Sequence, residues 1–260
     1  MLSHIVPEIM LKTLLVAGVL YASVAQSAIL RVDALNFTAD AGTITFFSEF
    51  AEGTENPVYT PANYGGGVGS PTVSFGGRFI GQSFGLNDCP AAALNGCVTG
   101  SPTGDLTLSD DSPNTIITGD DAAANPPVLS GNPPFLNPIS ILFNIDLVGV
   151  GLDIGSFNFL GSTAVSVFDR QGKIIGLFSN EVSLGNEFFG IVSDGGLATI
   201  AGLQILPIGT NPDGFGIDNL IFATADEVVE PNPVPLPAAL PLFASALGLG
   251  ATARRRKAVV

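Results

Sequence analysis

Tryptophan is absent from this 260-residue chain, and histidine occurs once, at His4. Without tryptophan the chain lacks the strongest stacking platform for sugar rings and nucleobases. His4 lies ahead of an apolar leader, so the chain beyond that leader has no histidine. That excludes Ser–His–Asp and Cys–His catalysis there, and any histidine-bound zinc site. Positive charge is equally scarce: nine Lys and Arg stand against 23 Asp and Glu. Only four basic residues (Arg31, Arg78, Arg170, Lys173) fall between Ile29 and Glu230, together with all but one of the acidic ones. Such a field repels phosphate backbones and anionic lipid, which rules out a nucleic-acid partner. Motifs for phosphate loops, dinucleotide binding, EF-hands and zincins are missing too. The short acidic runs Ser109–Asp111 and Gly119–Asp121 lack the spacing of a calcium loop and read as solvated turns.

Glycine and proline are plentiful, at 32 and 19 residues. Between the two ends no apolar period of 3.6 residues appears, whereas period-two runs recur, which predicts many short strands joined by tight turns. Val148–Ile154 alternates, with Val148, Val150, Leu152 and Ile154 on one face. Strands are also predicted at Thr43–Phe47, Thr72–Gly76, Arg78–Phe84, Ala164–Phe168, Lys173–Phe178, Glu187–Val192, Leu197–Leu206 and Phe215–Phe222. Hairpins are predicted at residues 170–173 (RQGK) and 193–196 (SDGG). The fold class is all-β: a β-sandwich of jelly-roll type over residues 29–223, with a loop-rich insertion at about 89–137. Cys89 and Cys97, eight residues apart, are expected to form a disulfide in an oxidising compartment.

Each end reads as a targeting segment. Residues 1–28 contain Lys12, an apolar run to Ala25 and small residues after it, the pattern of a secretory signal peptide. Cleavage after Ala25, Ser27 or Ala28 fits equally, and Met10 is an alternative start because Pro7 and Glu8 make a poor leading segment. At the other end, residues 224–233 form an acidic, proline-rich linker. Residues 234–260 begin Val234-Pro235-Leu236-Pro237, continue as an uncharged stretch to Ala253, and close on Arg254-Arg255-Arg256-Lys257. A helix over 238–253 would be about 24 Å long, a marginal transmembrane span against a hydrocarbon core of roughly 30 Å. The basic cluster acts as a cytoplasmic stop, leaving the body outside.

This three-part tail resembles the PEP-CTERM sorting domain, here with Pro235-Leu236-Pro237 in place of Pro-Glu-Pro. The resemblance implies an exosortase as partner, with the secretion machinery and a transient stay in the inner membrane of a Gram-negative bacterium. It further implies processing at the tail and a final place at the cell surface or in the extracellular matrix. The body resembles, more loosely, jelly-roll and galactose-binding-like modules through its opening residues 46–64 and its closing residues 213–222. That likeness implies a structural calcium held by Glu49 and Asp218; Asp218 shares a strand face with Leu220 and Phe222 in an unbroken strand. A strand-end carboxylate capping backbone amides is the alternative for Asp218.

The function expected from these features is a non-enzymatic exported surface or matrix protein, with exopolysaccharide as ligand and no catalytic residues or other cofactors. After the leader only Tyr59 and Tyr64 offer tyrosine rings to a sugar, both near a glycine-rich segment. A carboxylate-dependent glycoside hydrolase or lyase is one alternative. A passive structural subunit with a permanent tail anchor is the other.

Overall fold

The computed structural model describes residues 28–229, apart from 46, 88, 91–92, 94, 120–125 and 209–213. The predicted signal peptide, the end of the linker and the sorting tail lie outside the described residues. Fifteen strands run in chain order. They are β1 (Ile29–Val32), β2 (Gly42–Ile44), β3 (Val58–Tyr59), β4 (Val73–Gly76), β5 (Ser83–Gly85), β6 (Cys97–Thr99), β7 (Asn114–Thr118) and β8 (Val128–Asn132). The longer strands follow: β9 (Ile139–Leu147), β10 (Gly149–Phe157), β11 (Thr163–Phe168), β12 (Ile174–Ser179), β13 (Gly185–Ser193), β14 (Ile200–Pro207) and β15 (Gly216–Ala223). One short helix, α1 (Pro61–Tyr64), follows β3.

Two antiparallel sheets stack as a sandwich. One has the order β1-β13-β10-β15-β8-β7, with β2 also on β15; the other is β12-β11-β14-β9-β4-β3. Between them lies one continuous core. Val150, Leu152 and Ile154 of β10 face Ile139, Ile141 and Phe143 of β9 and Leu203 and Ile205 of β14, all fully buried. Alternation forces this arrangement, because each strand sends every second side chain inward. Phe47, Phe50, Tyr59 and Phe75 meet edge to face at one side of the core, with ring centroids 4.9–5.9 Å apart. One buried polar cluster is paired internally: the amides of Gln82 and Gln204 bond at 2.9 Å, and Gln204 Nε2 donates to Ser140 Oγ at 2.8 Å.

The turns carry two different outcomes. At residues 170–173 the expected hairpin joins β11 to β12, with Gly172 at φ 75° and Asp169 Oδ1 accepting the N–H groups of Gln171 and Lys173. Residues 193–196 do not form a hairpin. Gly195 and Gly196 do turn the chain, at φ 73° and 66°, but β13 and β14 belong to different sheets. The segment is a crossover between layers. Turn chemistry dictates a reversal, not the partner of the next strand.

Three further differences are informative. The strand predicted at Arg78–Phe84 shrinks to Ser83–Gly85, because Arg78 through Gln82 turn around the Gln82 amide, whose Oε1 takes the Phe79 N–H. The 89–137 insertion contains β6, β7 and β8, and the last two extend the first sheet through β15. In β15 a register shift near Asn219, which sits at φ 47°, breaks the alternation. Ile217, rather than Asp218, therefore joins Leu220 and Phe222 in the core, and Asp218 stands opposite Asp153.

Cys89 and Cys97 are bonded, consistent with an extracytoplasmic protein. A loop this short contributes about 2–3 kcal/mol on the chain-entropy account, and it fixes the start of β6. No helix among the described residues is long and apolar enough to cross a membrane.

Candidate functional site

A groove of about 480 Å³ opens at one end of the sandwich. Local sequence builds its first wall. Pro61 opens α1, Asn63 Oδ1 accepts the Thr60 N–H at 2.8 Å, and Gly65 ends the helix at φ 76°. This single turn delivers Tyr64 to the groove, and the glycine-rich residues 65–70 run on from it. The Tyr64 hydroxyl donates to the Pro71 carbonyl, and its ring stands edge-on to Phe222 at 4.9 Å. The loop is thereby tied to the core at both its ends. Burial pushes the Tyr64 phenol up, with Ser70 acting in the opposite direction.

Chain far away in sequence forms the other wall. Residues 40–43 lead into β2, which pairs Gly42 with Phe222 of β15. A Cβ at Gly42 would lie 2.0 Å from the Phe222 ring, so only glycine lets the strand pass over it. Beyond β15, Thr224 donates through its N–H and its hydroxyl to Glu227 Oε2, at 2.6 and 2.9 Å. Asp40 and Glu227 thus share the rim with Thr43, Ser70 and Thr224, above a floor of Phe222 and Leu147. Every lining residue is neutral or acidic.

No family model matches this chain, and no curated protein matches it. The solved structures similar to it include two variants of a family 29 carbohydrate binding module. They are 12% and 13% identical, with TM-scores of 0.24 and 0.23. Each match covers 58% of this chain and 99% of the module. That likeness is distant.

The residues singled out from sequence fall in several places. Val234, Pro235, Leu236 and Pro237, and Arg254, Arg255, Arg256 and Lys257, lie outside the described residues. Glu49 is exposed, beside the buried Tyr59. Burial first, and then the Glu49 charge, hold the Tyr59 phenol far above its usual value. Asp218 is fully buried; its Oδ1 accepts the Asn219 N–H at 2.8 Å, while Asn219 Nδ2 donates to Asp153 Oδ2 at 2.8 Å. Among the described residues no three His, Cys, Asp or Glu side chains converge in a metal-binding group.

Sequence reasoning noticed Tyr64 but missed Asp40, Thr43, Phe222 and Glu227 as its neighbours. The Thr-x-x-Asn and Thr-x-x-Glu caps at Thr60 and Thr224 were the available local signal. They mark where the two walls begin, not that they face each other.

Proposed function

We propose that this is a non-enzymatic exported protein of the cell surface or extracellular matrix, sorted by an exosortase through its C-terminal tail, whose sandwich holds exopolysaccharide in the Tyr64 groove. The groove carries the reading. It offers the half-buried Tyr64 ring to the C–H face of a sugar ring, and carboxylates, hydroxyls and glycine backbone for its hydroxyl groups. Its volume falls within the roughly 300–1,000 Å³ of small-molecule sites. Asp40 and Glu227, with no basic residue among the lining, oppose uronic acids and sulfated sugars and favour uncharged ones. The disulfide supports export. Hydrolysis would need Asp40 and Glu227 as an acid–base pair. Glu227 already commits one oxygen to capping Thr224, which favours binding over turnover.

Titration with neutral and uronate polysaccharides tests this by calorimetry. Neutral chains should bind, uronate chains should not, and Tyr64→Ala or Asp40→Asn should each weaken binding about tenfold, the scale of one lost contact worth about 1.4 kcal/mol. Phe159→Ala, at an exposed position two residues beyond the far end of β10, should change nothing. Equal binding by the wild type and both groove variants would refute the assignment.

A structural calcium at Glu49 and Asp218 is part of the same proposal. The support is the full burial of Asp218 with the Asp153 carboxylate opposite it, where a cation would add to the bonds that Asn219 makes to both. Calcium held only by the folded state adds about 2.7 kcal/mol at a hundred times its dissociation constant. Chelator should then lower the melting temperature by several degrees, and Asp218→Asn should abolish that response. Identical melting curves in calcium and chelator would remove the ion from the account.

A further inference from the structure

The two sheets differ in how their margins are closed. Against β7 lies the 53–56 segment, through Asn56 N to Thr115 O and Ile117 N to Thr54 O, both at 3.1 Å. The margin at β3 is two residues long, between Pro57 and Pro61, and β1 and β2 span four and three residues. These are the usual guards of a sheet edge: cover, proline and brevity. Among the described residues β12 has none of them. It runs six residues without proline or charge, ends its sheet, and leaves Ile174 50% and Leu177 67% exposed.

The ladder phase shows what that edge presents. Asn180 donates its N–H to Thr163 O at 3.3 Å, and Phe178 and Gly176 pair with Val165 and Val167. In an antiparallel ladder alternate residues turn both backbone groups to the same side. Leu177 and Ser179 therefore direct theirs away from β11. Among the described residues only the Ser179 carbonyl is reached, by Arg31 Nη1 at 3.4 Å, and Arg31 is held independently by Glu187 and the Phe188 carbonyl.

We infer that β12 is a homotypic interface: two copies pair antiparallel through this edge, joining their six-stranded sheets across a two-fold axis at Leu177. Three observations select a second copy as the occupant. The outward backbone groups of Leu177 are self-complementary about such an axis, as an isologous contact requires. The exposed Leu177 side chains meet there. Charge matches as well: Lys173 before the strand and Glu181 after it come alongside Glu181 and Lys173 of the other copy. Elsewhere the chain is strongly acidic, with a net charge of −14, and opposes the approach of a copy, whereas residues 174–180 carry no charge. One strand edge buries less than the roughly 800 Å² per partner of a stable complex, so the dimer is weak and forms where the protein is concentrated, as on a surface.

Sedimentation equilibrium of the exported protein tests this, together with amide hydrogen exchange at low and high concentration. A monomer–dimer equilibrium is expected, with the Leu177 and Ser179 amides slowing as dimer forms. Leu177→Lys sets two like charges on the axis and should leave only monomer at an unchanged melting temperature. Lys173→Glu and Glu181→Lys should each weaken association about tenfold, and the double variant should recover it. A protein that stays monomeric up to millimolar concentration overturns the proposal. So does a dimer that survives Leu177→Lys, or a double variant no tighter than the singles.

Discussion

Phe222→Ala should destabilise the sandwich by about 3–5 kcal/mol, the range for emptying a large aromatic site in a core. Phe222 is 2% exposed, receives Tyr64 edge-on, lies 6.5 Å from the Phe143 ring, and runs directly beneath Gly42. Its removal opens a cavity that none of these neighbours can fill, because each is held by strand pairing or by the tie from Tyr64 to Pro71. For a body of this size the loss corresponds to a melting temperature lower by roughly 10–15 °C. The groove should fail with it, since Tyr64 loses the surface that orients its ring. Phe222→Leu should restore most of the stability and less of the binding. Leu184→Ala, at an exposed position just before β13 and away from the groove, should be silent in both. A change below about 1 kcal/mol for Phe222→Ala would mean that the floor is not packed as described.

The second large effect concerns the tail. Protein recovered from the cell surface should lack Arg254 to Val260, whereas protein in which Pro235 and Pro237 are both alanine should stay full-length in the inner membrane. The reason is physical as well as motif-based. A helix over residues 238–253 would be about 24 Å long and would hold a roughly 30 Å hydrocarbon layer only marginally, and a basic cluster beyond it would halt translocation without adding an anchor. Mass spectrometry of the mature C-terminus after fractionation reads the outcome directly. A peptide ending Lys257-Ala258-Val259-Val260 in surface protein would replace sorting with a permanent tail anchor.

How much was legible varies with the range of the interaction. The Val148–Ile154 alternation survives almost unchanged in β10, because period two is a local property and both faces of this strand are set by its own residues. β7 and β8 were passed over inside the insertion. Asn, Thr, Ser and Gly fill much of both, and what makes them strands is pairing with each other and with β15, some 85 residues further on. The crossover at residues 193–196 was misread for a related cause, since two glycines reverse a chain equally well within a sheet and between sheets.

Asp218 makes the same point on a single residue. Unbroken alternation puts it with Leu220 and Phe222; the shift at Asn219 removes it from that face and sets it against Asp153. Nothing in the tetrapeptide Ile-Asp-Asn-Leu states this, beyond the tolerance of Asn for positive φ.

By itself the sequence determined the class of the body, its acidity and the cysteine pair. Each follows from composition, from period-two alternation or from the spacing of two residues. Only the tertiary structure decided which strands share a sheet, where Asp218 stands, that Asp40, Tyr64, Phe222 and Glu227 surround one groove, and that β12 is left as an open edge. All four depend on contacts between residues far apart in the chain, where the favourable partner is chosen by the burial of the whole core and not by any local preference.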